Sequence, residues 1–256
     1  MALACRTTCG QSPEGIVASM PTFFDPFLRS FAETDLAKYL VLEGGWAIHN
    51  VWGCGAWSSP DLDFTLFPEV TRSWVIKRFQ EVVDEYGREM GVVVNWQLSN
   101  WSSRSCQIQI EGPRPLTVDI TRTVRKDDIC LWAVDDASVR FPSTILVHSR
   151  EDLAAGKVAC IARANRVAAR DLYHLWVLSG SITPVKLEHI ERIGNRLAGH
   201  RLGFSSITAG IDAKHEVYES LWPEFVAGLP GPVDFITVFE QVRSLLTDMA
   251  ERAANL

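Results

Sequence analysis

Ser59-Pro60-Asp61-Leu62-Asp63-Phe64-Thr65-Leu66-Phe67 is the stretch on which the fold turns. From Asp61 to Phe67, polar and apolar residues alternate with the period of a half-buried β-strand. Two residues apart on a strand, the Asp61 and Asp63 side chains leave the same face roughly 7 Å apart. Like charges so placed repel unless something cationic lies between them. An isolated Asp-x-Asp also reads as the solvated end of a strand. Here Leu62, Phe64, Leu66 and Phe67 are more apolar than a surface edge needs.

Upstream, Tyr39-Leu40-Val41-Leu42 reads as a buried strand. It leads to Gly44-Gly45, sixteen residues before Asp61, which turns the chain into a short helix. Glycines at such a turn let backbone N–H groups approach a phosphate at a helix N-terminus, although tight turns use the pair routinely. Downstream, Leu116-Thr117-Val118-Asp119-Ile120 carries an acid inside an apolar strand. An ionised carboxylate there is costly unless it is paired or metal-bound. Asp119 therefore reads either as a salt-bridged core acid or as a ligand.

The rest of the chain divides into two halves. Between residues 36 and 135, strand and helix signals alternate. Val70 to Met90 carries Val75, Phe79, Val82, Val83 and Tyr86 at helical spacing. Strands are expected over 91–98, 105–110, 116–121 and 129–134. From Ser149 onward the pattern is helical: Leu153 to Ala168 behind a Ser149–Asp152 capping signal, then 170–178, 184–197, 213–221 and 232–253. Thr183-Pro184 and Gly231-Pro232 place a proline near a first turn. The expected class is α/β (α+β): a mixed-sheet α/β domain over 25–145 and a helical domain over 146–256. Residues 1–24 specify little.

A Gly-Gly turn, an Asp-x-Asp strand and a single Asp on a later strand form the layout of the nucleotidyltransferase superfamily that includes DNA polymerase beta. Three carboxylates on neighbouring strands can hold two divalent ions ~3.5–4 Å apart, and their oxygens suit octahedral Mg²⁺. Within that superfamily the chain resembles the AbiEii/AbiGii-type toxin nucleotidyltransferases of bacterial abortive-infection systems. The resemblance runs over about residues 38–180. It is carried by Leu42-Glu43-Gly44-Gly45-Trp46-Ala47-Ile48, Ser59-Pro60-Asp61-Leu62-Asp63-Phe64, Val118-Asp119-Ile120, Glu151-Asp152-Leu153 with Lys157, and Arg170-Asp171-Leu172-Tyr173-His174-Leu175.

That resemblance implies transfer of a nucleoside monophosphate from an NTP to an acceptor hydroxyl with release of pyrophosphate. Asp61, Asp63 and Asp119 would form the metal cage, with Asp119 activating or orienting the hydroxyl. Ser59, Gly44 and Gly45 would contact phosphate, Lys157 would hold the triphosphate, and Asp171 would complete the site. The implied acceptor is RNA, such as a tRNA 3′ end, and the implied partner is a cognate antitoxin. The sequence departs from the family pattern at Glu43 (usually Lys), Trp57 (usually Arg) and His174 (usually an acid). Gly-Gly-Trp-Ala-Ile is also similar to the aminoglycoside and lincosamide nucleotidyltransferases, which makes a small-molecule antibiotic the alternative acceptor. The departures leave open a third reading, a catalytically inactive nucleotide-binding or antitoxin-like module.

Composition sets the frame. The 256 residues are 47% hydrophobic and 22% charged, the usage of a globular protein rather than a disordered or fibrous one. No apolar run approaches the ~18 residues of a membrane span, and the first twenty residues lack an apolar signal region. Six scattered cysteines argue against a disulfide scaffold, and Cys5/Cys9 lack the further ligands a zinc site needs. A reducing, cytoplasmic location is the corresponding expectation. The net charge of −6 speaks against nucleic acid. Yet Arg150–Arg170 and Arg114–Lys126 each carry a formal +3, which permits a phosphate-bearing ligand. Arg163, Arg166 and Arg170 are spaced to share one helix face, either solvated or gripping phosphate. Trp57 could stack on a nucleotide base, and His174 reads as a packing residue on a helix.

Overall fold

The computed structural model describes residues 24–55, 59–99, 105–111, 115–122, 131–134, 145–180, 184–198 and 203–254. Cys5, Cys9 and Trp57 lie outside them, as do Arg114, Arg125 and Lys126 of the Arg114–Lys126 segment. The described residues group into two compact units: those of 24–52 and 59–149, and those of 53–55 and 150–254.

The first unit is built on a mixed seven-stranded sheet: β1 (Leu40–Glu43), β2 (Asp61–Leu66), β3 (Asn95–Ser99), β4 (Ser105–Glu111), β5 (Leu116–Arg122), β6 (Leu131–Val134) and β7 (Ile145–His148). Their spatial order is β3-β4-β5-β2-β1-β7-β6. β2 runs parallel to β5, and β1 parallel to β7, while the remaining neighbours are antiparallel. With the helices described below, this is the α/β class.

Alternation makes the sheet two-faced. Leu62 and Phe64 on β2, Val118 and Ile120 on β5, and Ile108 and Ile110 on β4 are all about 1% exposed or less. Two helices cover that face, α1 (Asp25–Ala32) and α3 (Arg72–Met90). Phe31 of α1 stacks on Phe64 at 5.0 Å, and Phe27 lies 5.9 Å from Phe79 and 6.0 Å from Tyr86. The helical spacing read in 70–90 corresponds to α3, whose Val75, Phe79, Val82, Val83 and Tyr86 are all buried. Fully burying each such side chain contributes roughly 1.5–3 kcal/mol. The Thr71 hydroxyl accepts from the Trp74 N–H at the N-terminus of α3, and Gly91 ends it with φ +66°. The strand expected from Gly91 therefore begins only at Asn95.

Gly44–Trp46 (α2) continues as a π-helical turn, Ala47–Val51, after β1. Helix α1 had no counterpart in the sequence reading, although Phe27, Leu28 and Phe31 carry its buried stripe.

The second unit is helical: α4 (Arg150–Ala162), α5 (Ala169–Ser179), α6 (Pro184–Ala198), α7 (Phe204–Asp212), α8 (His215–Val226) and α9 (Phe235–Ala254). Three of these helices have ends that differ from expectation, and a fourth has no expected counterpart. The helix expected to run to Ala168 stops at Ala162, and residues 163–168 form the connection to α5. The Lys214 ammonium gathers the Ile161, Arg163 and Arg166 carbonyls there at 3.4, 2.8 and 3.4 Å, a cationic C-cap. α8 runs on through Pro223, held by the buried Trp222, whose indole N–H donates to the Val233 carbonyl at 2.8 Å. α9 starts at Phe235 rather than Pro232, because the Asp234 carboxylate accepts the Thr237 N–H as N-cap. α7 went unread, though Phe204, Ile207 and Ile211 mark its buried face. Among the described residues, no helix is long and apolar enough to cross a membrane.

Candidate active site

The polar face of the sheet carries the candidate site. Antiparallel register places Glu43 opposite Asp63, parallel register places Asp63 beside Asp119, and Asp119 in turn pairs with Gln107. Asp61 lies one pleat along β2, opposite Thr117. One carboxylate oxygen from each of Asp61, Asp63 and Asp119 comes within 4.8 Å of the others, and all three residues are half-buried. Two partners of this group are neutral: the Ser59 hydroxyl donates to Asp61, and the Gln107 amide donates to Asp119 Oδ1 at 2.9 Å. Neither offsets the negative charge. An all-oxygen donor set of three clustered carboxylates is what a hard divalent cation such as Mg²⁺ takes.

Gly44 is part of this geometry. Its φ of +76° favours glycine, and a Cβ built there would lie 2.7 Å from the Asp63 Cγ and 2.8 Å from its Cβ. The Gly-Gly turn is thus packed onto a metal-ligand candidate, and only a residue without a side chain fits. Ser59, 5% exposed, reaches the group through Asp61.

Glu43, the first departure from the family pattern, is engaged on the same face. Its carboxylate accepts from the Thr121 hydroxyl at 2.8 Å and faces His148 Nε2 at 3.8 Å. His148 Nε2 also lies 3.1 Å from the Thr65 hydroxyl. Cys106 lies on the neighbouring strand, where burial, reinforced by the Asp119 charge, pushes its thiol up to about 11. It is therefore no nucleophile at neutral pH.

Lys157 and Asp171 belong to the helical unit, where the structure brings them together. Asp171 is 1% exposed; its Oδ1 receives Lys157 Nζ at 3.2 Å and its Oδ2 receives Arg166 Nε at 2.8 Å. Burial alone would raise this carboxyl, but the Lys157 charge and the Arg166 hydrogen bond outweigh it and hold the pKa below the usual value. The same hydrogen bond raises the Arg166 pKa. Burial pushes the Tyr218 phenol up to about 12, with the Asp171 charge acting in the same direction. His174 is 1% exposed, as a packing residue on α5 would be.

Arg163, Arg166 and Arg170 do not share a helix face. The first two lie in the α4–α5 connection and only Arg170 is helical, because α4 ends at Ala162. Arg166 instead clamps Asp171. Gln107 and Arg166 are the contacts that the sequence reading did not assign. The polar half of the Ser105–Glu111 alternation was the available signal for Gln107.

No curated protein matches the chain in sequence. Among solved structures, MenT4, the nucleotidyltransferase toxin Rv2826c from Mycobacterium tuberculosis H37Rv, is similar with a TM-score of 0.54 at 18% identity. The match covers 88% of this chain and 81% of MenT4. A crystal structure of ANT(2″)-Ia in complex with adenylyl-2″-tobramycin matches with a TM-score of 0.42 and 14% identity, over 68% of this chain and 94% of that one. The family described as nucleotidyl transferase AbiEii toxin, Type IV TA system, matches residues 26–240. The chain therefore belongs to the AbiEii family of nucleotidyltransferase toxins and is a nucleotidyltransferase enzyme.

Proposed function

We propose that this toxin is an Mg²⁺-dependent nucleotidyltransferase that moves a nucleoside monophosphate from an NTP to a hydroxyl of RNA, a tRNA 3′ end, and that a cognate antitoxin restrains it in the cytoplasm. The convergence of Asp61, Asp63 and Asp119 on one sheet face is the observation that carries this reading. Bound there, a pair of Mg²⁺ ions would lower the pKa of the attacking hydroxyl and neutralise the triphosphate and leaving pyrophosphate. Asp61, Asp63 and Asp119 would hold the metals, and Ser59 fixes the rotamer of Asp61. The Gly44-Gly45 turn offers backbone N–H groups to phosphate oxygens. Asp119 orients the acceptor hydroxyl and takes its proton. The hydroxyl oxygen bonds to the α-phosphorus, the bond to the bridging oxygen breaks, and pyrophosphate leaves with that electron pair. Lys157 supplies the cation for the triphosphate, steadied by Asp171.

The test offers each of four α-labelled NTPs with Mg²⁺ to purified total tRNA and, separately, to an aminoglycoside. Label is expected on tRNA from the wild-type chain, and none from Asp63→Ala or after EDTA treatment. Asp63→Ala should retain the wild-type melting temperature. Label landing on the drug alone would replace RNA with the antibiotic as acceptor. Transfer by folded Asp63→Ala would refute the site.

A further inference from the structure

The row of polar side chains does not end at Asp119. Gln107 Nε2 donates to Asp119 Oδ1 at 2.9 Å, Gln109 Nε2 donates to Gln107 Oε1 at 3.4 Å, and Gln97 Nε2 donates to Gln109 Oε1 at 2.9 Å. The three amides form a head-to-tail chain from the catalytic carboxylate across β4 to the edge strand β3. Register accounts for it: Gln107 pairs with Asp119, and Gln97 pairs with Gln109. Gln97 and Gln109 are exposed on the polar face.

We propose that this amide face of β3 and β4 is the acceptor platform, on which an RNA terminus lies while its hydroxyl reaches Asp119. The inference rests on the nucleotidyl-transfer reading above and deepens it. Gly44 is packed against Asp63 on the β1 side of the row, so a triphosphate cradled by the Gly-Gly turn occupies that side. In-line displacement brings the attacking oxygen from opposite the leaving group. That direction is the β5–β4 side, where Asp119 and then the amides stand.

The chemistry of the platform selects the ligand. Each amide retains an N–H and an oxygen lone pair beyond the chain it joins. The polar-face residues of β3 and β4 are Asn95, Gln97, Ser99, Ser105, Gln107, Gln109 and Glu111: no cation and a single acid. Such a surface does not bind phosphate by charge, and it lacks the carboxylates a polycationic drug would require. Uncharged donors and acceptors match base edges and ribose hydroxyls, through which single-stranded RNA ends are read.

The experiment compares the full-length chain with Gln97→Ala/Gln109→Ala and with Gln107→Ala, using total tRNA as acceptor. Losing two exposed amide contacts should raise the KM for tRNA roughly tenfold. The KM for NTP and the melting temperature of the double variant should stay at wild-type values. Gln107→Ala should instead lower kcat, because Gln107 positions Asp119. A tRNA KM within twofold of wild type in the double variant, or an equal rise in the KM for NTP, overturns the platform alone. A wild-type chain that labels no tRNA overturns the RNA reading, and the ligand of the platform with it.

Discussion

At the scale of single residues, Gly44 and Asp171 are both closely held by their surroundings. Gly44→Ala would force a side chain into a left-handed backbone and against the Asp63 carboxylate. The backbone alone costs about 1–2 kcal/mol, and Asp63 must also move, so transfer should fall far more than the melting temperature does. Equal transfer by this variant would show that the turn does not set the Asp63 position. Asp171 sets a pH dependence. Its folded pKa lies below the ordinary carboxylate value, so on the acid side the unfolded chain binds more protons than the folded one. The stability that the cluster contributes is intact above about pH 4 and lost as pH falls through the depressed folded value. Asp171→Asn should cost about 3 kcal/mol at pH 7, the lower end for breaking a buried pair, since Arg166 is 34% exposed. Urea midpoints measured from pH 7 to 3 should fall less steeply for the variant. Parallel curves would contradict the assignment.

At the scale of elements, the α4–α5 connection is the informative one. Helical spacing alone gave no reason for α4 to stop at Ala162. The cause is Lys214, about fifty residues away, whose ammonium binds the Ile161 carbonyl in the last turn of α4 and two carbonyls of the connection. Lys214→Met should destabilise the chain by about 1.5–3 kcal/mol, the usual worth of hydrogen bonds to a charged group. Lys214→Arg should recover part of that loss in the same urea titration. If Met is as stable as Lys, the cap is incidental. Elements read well from the sequence where one face is apolar and local signals bracket the ends, as in α3 between Thr71 and Gly91. They read poorly where a distant partner sets the end, as at Ala162, or where the helix is short, as in α1 and α7.

For the molecule as a whole, charge distribution matters more than net charge. The chain carries −6, yet residues 150–170 contain five of its 25 basic residues against two acids. If RNA binding draws its phosphate contacts from that segment, at most five phosphates are neutralised. The plot of log affinity for tRNA against log salt should then slope no more steeply than about −3.5. A steeper slope in filter binding between 50 and 200 mM salt would place further basic residues on the acceptor. Two of the five, Lys157 and Arg166, already share the Asp171 carboxylate, which points to a shallower slope still.

By itself, the sequence determined which residues could do chemistry and which strands carry them. Period-2 alternation at 61–67, the strand signal at 105–110, the Gly-Gly turn and the lone acid at 119 are local patterns, and the motifs at 42–48, 59–64 and 170–175 were enough to point to the family. Only the tertiary structure decided what those residues meet. Asp63 and Asp119 are more than fifty positions apart, and their register follows from how β2 and β5 bury Phe64 and Ile120 together on the helix-covered face. A slip of one residue would turn Asp119 into that core. The same register brings Glu43 to Thr121 and His148, and lines up Gln107, Gln109 and Gln97 beyond Asp119. Local sequence specifies the face on which a side chain stands; packing between distant segments specifies its neighbour, and the chemistry of this site depends on the neighbours.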